Sequence, residues 1–247
     1  MTLSIIVMAA GKGTRMKSEL PKVLHPIAGR PMIHFVIDTA LSLNPSKIVI
    51  IVGHLAESVK ESIQQEFQSV VLNYALQSPQ LGTGHAVMQA QKPLEGLEGN
   101  VIVLSGDVPL TAAETLQSLL DYHIAEKAAA TVLTARLADP TGYGRIIRSD
   151  DGSRVLRIIE QKDCTPEENL VNEINSGIYV FDKKELFLAL GRVSNHNAQK
   201  EYYLTDVLGL LSDSKKKICA VEAQNFNEIR GINTPEQLKE AEDILLA

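Results

Sequence analysis

An α/β fold, with a mixed, mostly parallel sheet covered by helices on both faces, is predicted by three features of the sequence. Apolar, β-branched runs alternate with stretches of helical period. The glycines cluster at the ends of those apolar runs and in turns. The length, 247 residues, is enough for one substantial core.

The elements follow in order. Strands are expected at Ser4–Ala10, Lys47–Val52, Val70–Tyr74, Val101–Ser105 and Ala129–Ala135, each a run rich in Val, Ile, Leu or Ala. Helices are expected at Pro31–Leu43, Leu55–Glu66, Thr83–Gln91 and Thr111–His123, where apolar residues recur at helical spacing. Between the first strand and first helix, Pro21, Pro26 and Pro31 keep the chain irregular, and Pro31 suits a first helical position. The second half is less regular. Arg145–Arg148 and Arg154–Glu160 read as a hairpin turned by Asp150, Asp151 and Gly152. Ile174–Phe181 reads as a strand, Asp182–Gly191 and Glu201–Asp213 as helices, and Lys217–Val221 as a strand. A last helix, Thr234–Ala247, is capped by Thr234 with Pro235 at its first position. Neither a linker nor an internal repeat interrupts the series, so residues 1–247 are expected to form one domain.

Composition narrows the function. A hydrophobic content of 45% and a mean hydropathy of +0.01 describe a soluble chain, and no apolar run reaches membrane-spanning length. Leu3–Ala10 is too short for a signal peptide and leads into glycines, so a cytoplasmic location is expected. The net charge of −6 argues against broad nucleic-acid binding. It leaves room for a local cation cluster that holds a small anion. Cys164 and Cys219 are isolated and fit a reducing compartment. The six histidines are scattered, so zinc is not expected.

The densest chemistry follows the first strand. Met8, Ala9, Ala10, Gly11, Lys12, Gly13, Thr14, Arg15 and Met16 run on to Pro21 and Lys22. The glycines permit a tight turn with backbone N–H groups turned to a ligand, and Lys12, Arg15 and Lys22 suit a triphosphate. It is not a dinucleotide fingerprint, because Met16 stands where a third glycine is required. It is not a Walker loop either, because Gly13 rather than Ser or Thr follows Lys12. A second strand ends in Ser105, Gly106 and Asp107, where the carboxylate suits magnesium or, equally, a helix cap. Gln77, Gly82, Thr83 and Gly84 form a polar, glycine-rich stretch that can read a base edge or simply cap a helix. Within it His85 reads as a packed or capping histidine. Tyr143, Gly144, Glu160 and Asn175 interrupt apolar strands with groups suited to sugar hydroxyls or to strand-end solvation. Asn233 is a second oxygen donor for a metal or a turn residue.

These residues resemble the sugar-1-phosphate nucleotidyltransferases, through Ala9–Met16 with Pro21 and Lys22. Five more stretches in order narrow the resemblance: Gln77–Ala86, Gly106–Leu110, Asp139–Arg145, Glu173–Gly177 and Asn197–Asp206. Together they are similar to the uridylyltransferase domain of the bacterial bifunctional family that also carries a glucosamine-1-phosphate acetyltransferase. The resemblance implies a Rossmann-like nucleotidyltransferase fold, with a nucleotide half (about 1–110), a sugar half (111–233) and a C-terminal helix (234–247). It implies the reaction of UTP with N-acetylglucosamine 1-phosphate to give UDP-N-acetylglucosamine and pyrophosphate, with Mg2+ as cofactor. By position, Met8, Ala9, Ala10, Gly11, Gln77, Gly82 and Thr83 would hold the nucleotide, and Asp107 with Asn233 the metal. Thr83, Gly106, Tyr143, Gly144, Glu160, Asn175 and Asn233 would hold the amino sugar, and Arg15 and Lys22 would act in catalysis. The attacking phosphate is already ionised, so no protein nucleophile is required.

Three departures qualify it. Ser105 replaces a larger residue, and His196 and Lys200 stand where Asn and Gly are expected. The hexapeptide repeats of the family's acetyltransferase domain are missing from these residues, so neither acetyl transfer nor a trimer built on that domain is expected. A related enzyme for another sugar such as glucose 1-phosphate, or a nucleotide-sugar sensor without turnover, are the competing readings.

Overall fold

A computed structural model describes residues 2–246. In chain order the elements are β1 (Leu3–Ala9), a small hairpin of β2 (Pro26–Ile27) and β3 (Arg30–Pro31), α1 (Met32–Ser42), β4 (Lys47–Val52), α2 (Ala56–Glu66) and β5 (Asn73–Leu76). Then come α3 (Thr83–Met88), β6 (Asn100–Ser105), α4 (Ala113–Glu126), β7 (Ala130–Arg136), the hairpin β8 (Arg145–Arg148) and β9 (Val155–Ile159), and the long β10 (Glu173–Asp182). The chain closes with α5 (Lys183–Leu190), α6 (Asp206–Asp213), β11 (Ile218–Glu222) and α7 (Pro235–Leu246). Ala247, the expected end of the last helix, lies outside the described residues.

The main sheet runs β11-β7-β10-β6-β1-β4-β5. β1 pairs in parallel with β4 and β6, β4 with β5, and β7 with β11. β10 alone runs against its neighbours β6 and β7. That reversal positions the site: the start of β10 lies beside the C-terminal end of β6. Between Asn175 and Tyr179 the pairing of β10 with β7 slips, and the bulge includes Gly177 at φ +82°. β8 reaches the sheet through the single pairing of Arg145 with Ile174.

Side chains of β1 alternate between two apolar layers, as a strand of period two requires. Ile5 and Val7 join Ile33, Ile37, Val59, Ile63, Leu116 and Leu119 from α1, α2 and α4. Ile6 joins Val87, Leu186, Leu190, Val207 and Leu211 from α3, α5 and α6. Both faces are therefore dry, which is why β1, β4 and β6 read as continuous apolar runs.

Several boundaries differ from the sequence expectation. The strand expected at Val70–Tyr74 forms at Asn73–Leu76, and Val71 is 88% exposed in the turn before it. The helix expected from Glu201 begins at Asp206, because residues 201–203 form a loop tied to the segment before α3, by the Tyr202 N–H to the Leu81 carbonyl and the Gly84 N–H to the Tyr202 carbonyl. Pro31 sits at the N-cap, with ψ 137°, and Met32 opens α1. The segment from Pro21 to Pro31 is not wholly irregular: it holds a 3-10 turn and the β2–β3 hairpin. α3 stops at Met88 and turns fill the span to Leu97. α4 begins at Ala113, where Glu228 accepts from the Ala112 N–H in place of a local cap.

Candidate active site

Two parallel strand ends and two loops meet at one edge of the sheet. The Met8 carbonyl at the end of β1 accepts from the Gly106 N–H just after β6 (2.9 Å). A Cβ on Gly106 would lie 3.0 Å from that carbonyl, so glycine is what lets the two strand ends close up. Lys22, on a 3-10 turn, reaches into this junction. Its ammonium donates to Asp107 and to Asn233 Oδ1 (2.6 Å). Arg15 Nη2 donates to the same Asn233 oxygen (2.7 Å). The loop that carries Asn233 is fixed by Ile232 N–H to the Asp107 carbonyl (2.9 Å) and by Gln237 Oε1, which accepts from the Asn233 N–H (2.7 Å). Asp107 is thus an ion-pair partner, not a helix cap, and Asn233 does more than shape a turn. Arg15, Lys22, Asp107 and Asn233 come together as the sequence pattern implied. Met8, Ala9, Ala10 and Gly11 lead into the same edge, and a Cβ at Gly11 would meet nothing within 4 Å. That open space is what a ligand approaching the backbone needs.

Asp107 and the Asn233 amide oxygen already share one cation, the Lys22 ammonium, so both oxygens reach a common point. A carboxylate and an amide oxygen are hard donors of the kind magnesium accepts, with phosphates and water completing its shell. The donor set fits such an ion. No group of three or more His, Cys, Asp or Glu among the described residues could hold a metal by protein ligands alone.

A second corner forms where β5 runs out. Gln77 is 3% exposed, and its N–H donates to the Val52 carbonyl (2.8 Å). Its side-chain Nε2 donates to the Gly82 carbonyl (2.9 Å) and lies 3.2 Å from His85 Nδ1. Gly82, at φ +104°, is pressed against the segment 201–204: a Cβ there would lie 2.6 Å from the Tyr202 carbonyl. Tyr202 bridges the loop, with its N–H to the Leu81 carbonyl (2.8 Å) and its carbonyl accepting from Gly84 (2.7 Å). Thr83 does not cap α3, since Gly82 holds the N-cap position. Its hydroxyl accepts from the Leu204 N–H (3.0 Å). His85 likewise packs without capping.

The third group lies on the hairpin and β10. Tyr143 is half-buried, packs edge-on to Phe226 with ring centres 6.2 Å apart, and burial raises its phenol pKa. The Gly144 carbonyl accepts from the Asn175 N–H (2.9 Å), and Asn175 Oδ1 accepts from Gly177 across the bulge (3.0 Å). Glu160 follows β9 and accepts from the Thr205 hydroxyl (3.0 Å). Burial pushes the Glu160 carboxyl up, and nearby Asp206, Asp163 and Glu201 act in the same direction, while the Thr205 hydroxyl opposes them. Asp206 itself is pushed up to about 6, by burial first and Asp163 second. Thr205 and Tyr202 are positioning residues that the sequence did not single out. Their signal was present in the Asn197–Asp206 stretch, but the helical reading hid it.

A cavity of about 1370 Å3 lies elsewhere, at the start of β6 and along α5, and includes none of these residues. No helix of the described residues is long and apolar enough to cross a membrane.

The sequence profile of the nucleotidyl transferase family matches residues 4–228. The bifunctional protein GlmU of Enterococcus faecalis is 50% identical over 240 residues, 97% of this chain and 51% of that protein. GlmU of Bacillus subtilis is 49% identical over 240 residues, again 97% and 51%. The chain therefore spans about half the length of the curated relatives it matches. A UDP-glucose pyrophosphorylase solved with UDP-glucose superposes with a TM-score of 0.77 at 19% identity, covering 100% of this chain and 99% of that one. Its likeness shows the fold: an α/β nucleotidyltransferase architecture with a mixed, mostly parallel sheet.

Proposed function

The chain belongs to the nucleotidyl transferase family, and from that premise we propose that it transfers the uridylyl group of UTP to N-acetylglucosamine 1-phosphate, in the cytoplasm. The products are UDP-N-acetylglucosamine and pyrophosphate. The observation that carries this reading is the meeting of Arg15, Lys22, Asp107 and Asn233 at one pair of strand ends. Half-length identity of about 50% to proteins named GlmU supports the choice of reaction within the family.

In this reading a phosphate oxygen of the sugar phosphate attacks the α-phosphorus of UTP. The bond from that phosphorus to the bridging oxygen breaks, and pyrophosphate leaves. Two polyanions must meet, so positioning and countercharge are the chain's contribution. Arg15 and Lys22 supply the countercharge at the leaving group. Lys22 exchanges Asp107 and Asn233 for phosphate oxygens when substrates arrive. Asp107 and Asn233 would hold Mg2+, which when bound neutralises phosphate charge and aligns the reacting groups. Met8, Ala9, Ala10, Gly11, Gln77, Gly82 and Thr83 hold the nucleotide. Thr83, Gly106, Tyr143, Gly144, Glu160, Asn175 and Asn233 hold the amino sugar. The chain up to residue 110 forms the nucleotide half, 111–233 the sugar half, and Pro235–Leu246 the closing helix.

Pyrophosphate release tests the proposal, with UTP, Mg2+ and each of N-acetylglucosamine 1-phosphate, glucosamine 1-phosphate and glucose 1-phosphate. Release with the acetylated sugar alone, lost in Asp107→Asn, is the expected result. Preference for glucose 1-phosphate overturns the sugar assignment. Tight UTP binding without release from any sugar overturns the reaction.

A further inference from the structure

The base corner contains a chain of forced hydrogen-bond assignments. The Gly82 carbonyl can only accept, so the atom of the Gln77 carboxamide 2.9 Å away is its nitrogen. That nitrogen carries two hydrogens. One points to Gly82, and the other faces His85 Nδ1 at 3.2 Å. Nδ1 must then be the unprotonated ring nitrogen, and the His85 proton sits on Nε2. Both Gln77 donors are spent inside the protein. The remaining corner of the amide, Oε1, receives no hydrogen bond from any described residue, and it is not among the sealed, unpartnered atoms. Gln77 therefore offers a ligand an acceptor and nothing else.

His85 is held for this task. Its ring packs against Tyr202 (centres 6.3 Å apart), and its carbonyl accepts from Gln89 Nε2 (2.9 Å). Tyr202 is tied on both sides to the loop that contains Gly82.

We propose that His85 is a specificity-determining residue, which locks the Gln77 carboxamide so that only a pyrimidine with an N–H at ring position 3 is accepted. The inference rests on the reading that Gln77 faces the base. Uracil has that N3–H and satisfies Oε1. Cytosine has a lone pair at N3 and meets Oε1 as acceptor against acceptor. Removing the His85 acceptor leaves a buried amide hydrogen without a partner and the carboxamide held by the Gly82 carbonyl alone, one bond in place of two. His85 touches neither base nor phosphate in this arrangement; it acts through Gln77.

The test is calorimetric binding of UTP and of CTP, each with Mg2+, to the wild-type chain and to His85→Asn, His85→Phe and His85→Ala. His85→Asn keeps an oxygen acceptor near the place of Nδ1 and is expected to keep the preference for UTP. His85→Phe and His85→Ala lack the acceptor and are expected to lose it by about tenfold or more. His85→Ala makes no demand on space, so it answers even where the bulkier ring disturbs folding. Wild-type protein that binds UTP and CTP alike overturns the inference, and so do acceptor-free variants with the wild-type preference. Turnover plays no part in this measurement. A wild type that prefers UTP but releases no pyrophosphate sinks the proposed reaction and leaves the role of His85 standing.

Discussion

The two polar corners of the site hold their charges and dipoles in opposite ways. At the base corner every donor of Gln77 is already used, by Gly82 and His85, and the surrounding loop is tied down by Tyr202. At the phosphate corner Lys22, Arg15, Asp107 and Asn233 are also paired, but with one another. In the proposed reaction the first set of bonds stays intact when a ligand arrives, and the second is exchanged. Selection needs dipoles that do not move, because a carboxamide free to turn accepts either hydrogen-bond pattern. The proposed uridylyl transfer between two polyanions needs cations that are kept in place beforehand by partners they can give up.

The contrast is broken most severely at the phosphate corner. Asp107→Asn removes the carboxylate for the metal and for Lys22, and pyrophosphate release is expected to fall about a thousandfold. Lys22→Ala should cost about a hundredfold in turnover. Nearly full activity in either variant, measured at saturating substrate, contradicts the exchange. The base corner responds differently. Gly82→Ala forces a Cβ to 2.6 Å from the Tyr202 carbonyl at φ +104°. It should weaken UTP binding about tenfold and cost about 1–3 kcal/mol in urea unfolding. A stability equal to wild type is incompatible with a fixed loop there.

Two smaller effects sharpen the picture on the sugar side. Glu160 accepts at both oxygens only when ionised, and its carboxyl is pushed up by burial while the Thr205 hydroxyl restrains the shift. Thr205→Val removes that restraint, so the rise in KM for the sugar phosphate on acidification should begin at a higher pH. Thr205→Ser should restore the wild-type profile. Asp206, pushed up to about 6 from 3.8, binds its proton more tightly folded than unfolded. Its cost to stability is present above pH 6 and is relieved as pH falls towards 4. Asp206→Asn should therefore raise stability at pH 8 by about 1 kcal/mol, after screening, and change little at pH 4.

Legibility in the sequence followed locality. β1, β4 and β6 were readable because both faces are buried, which writes an unbroken apolar run. Asp107 was readable because a carboxylate closing such a run lies at a ligand-binding edge of a parallel sheet. Residues 201–205 were misread because Glu201–Thr205 has acceptable helical propensity, and only the bonds of Tyr202 and Leu204 to Leu81, Thr83 and Gly84 keep them out of the helix. Val70–Leu72 was misread as a strand because propensity does not report that Val71 projects into solvent. The partners of Lys22 lie 85 and 211 residues away, and a separation of that kind leaves no local trace. His85 was seen as a packed residue, but the tautomer it adopts is set by Gln77 across a turn.

The hairpin that carries Gly144 to Glu160 buries Ile146, Val155 and Ile158 in the same apolar layer as Val207, Leu208 and Leu211 of α6, and it joins the sheet by few polar attachments. They are the single pairing of Arg145 with Ile174, the Asn175 N–H to the Gly144 carbonyl, and the two-pronged grip of Arg148 on Glu173 (2.7 Å on each oxygen). A piece of chain so attached is a cassette. A graft of it has to keep those three fastenings and the apolar contacts with α6. A graft of residues 144–160 from a homologue with another sugar preference is expected to carry that preference with it and leave UTP affinity where it was.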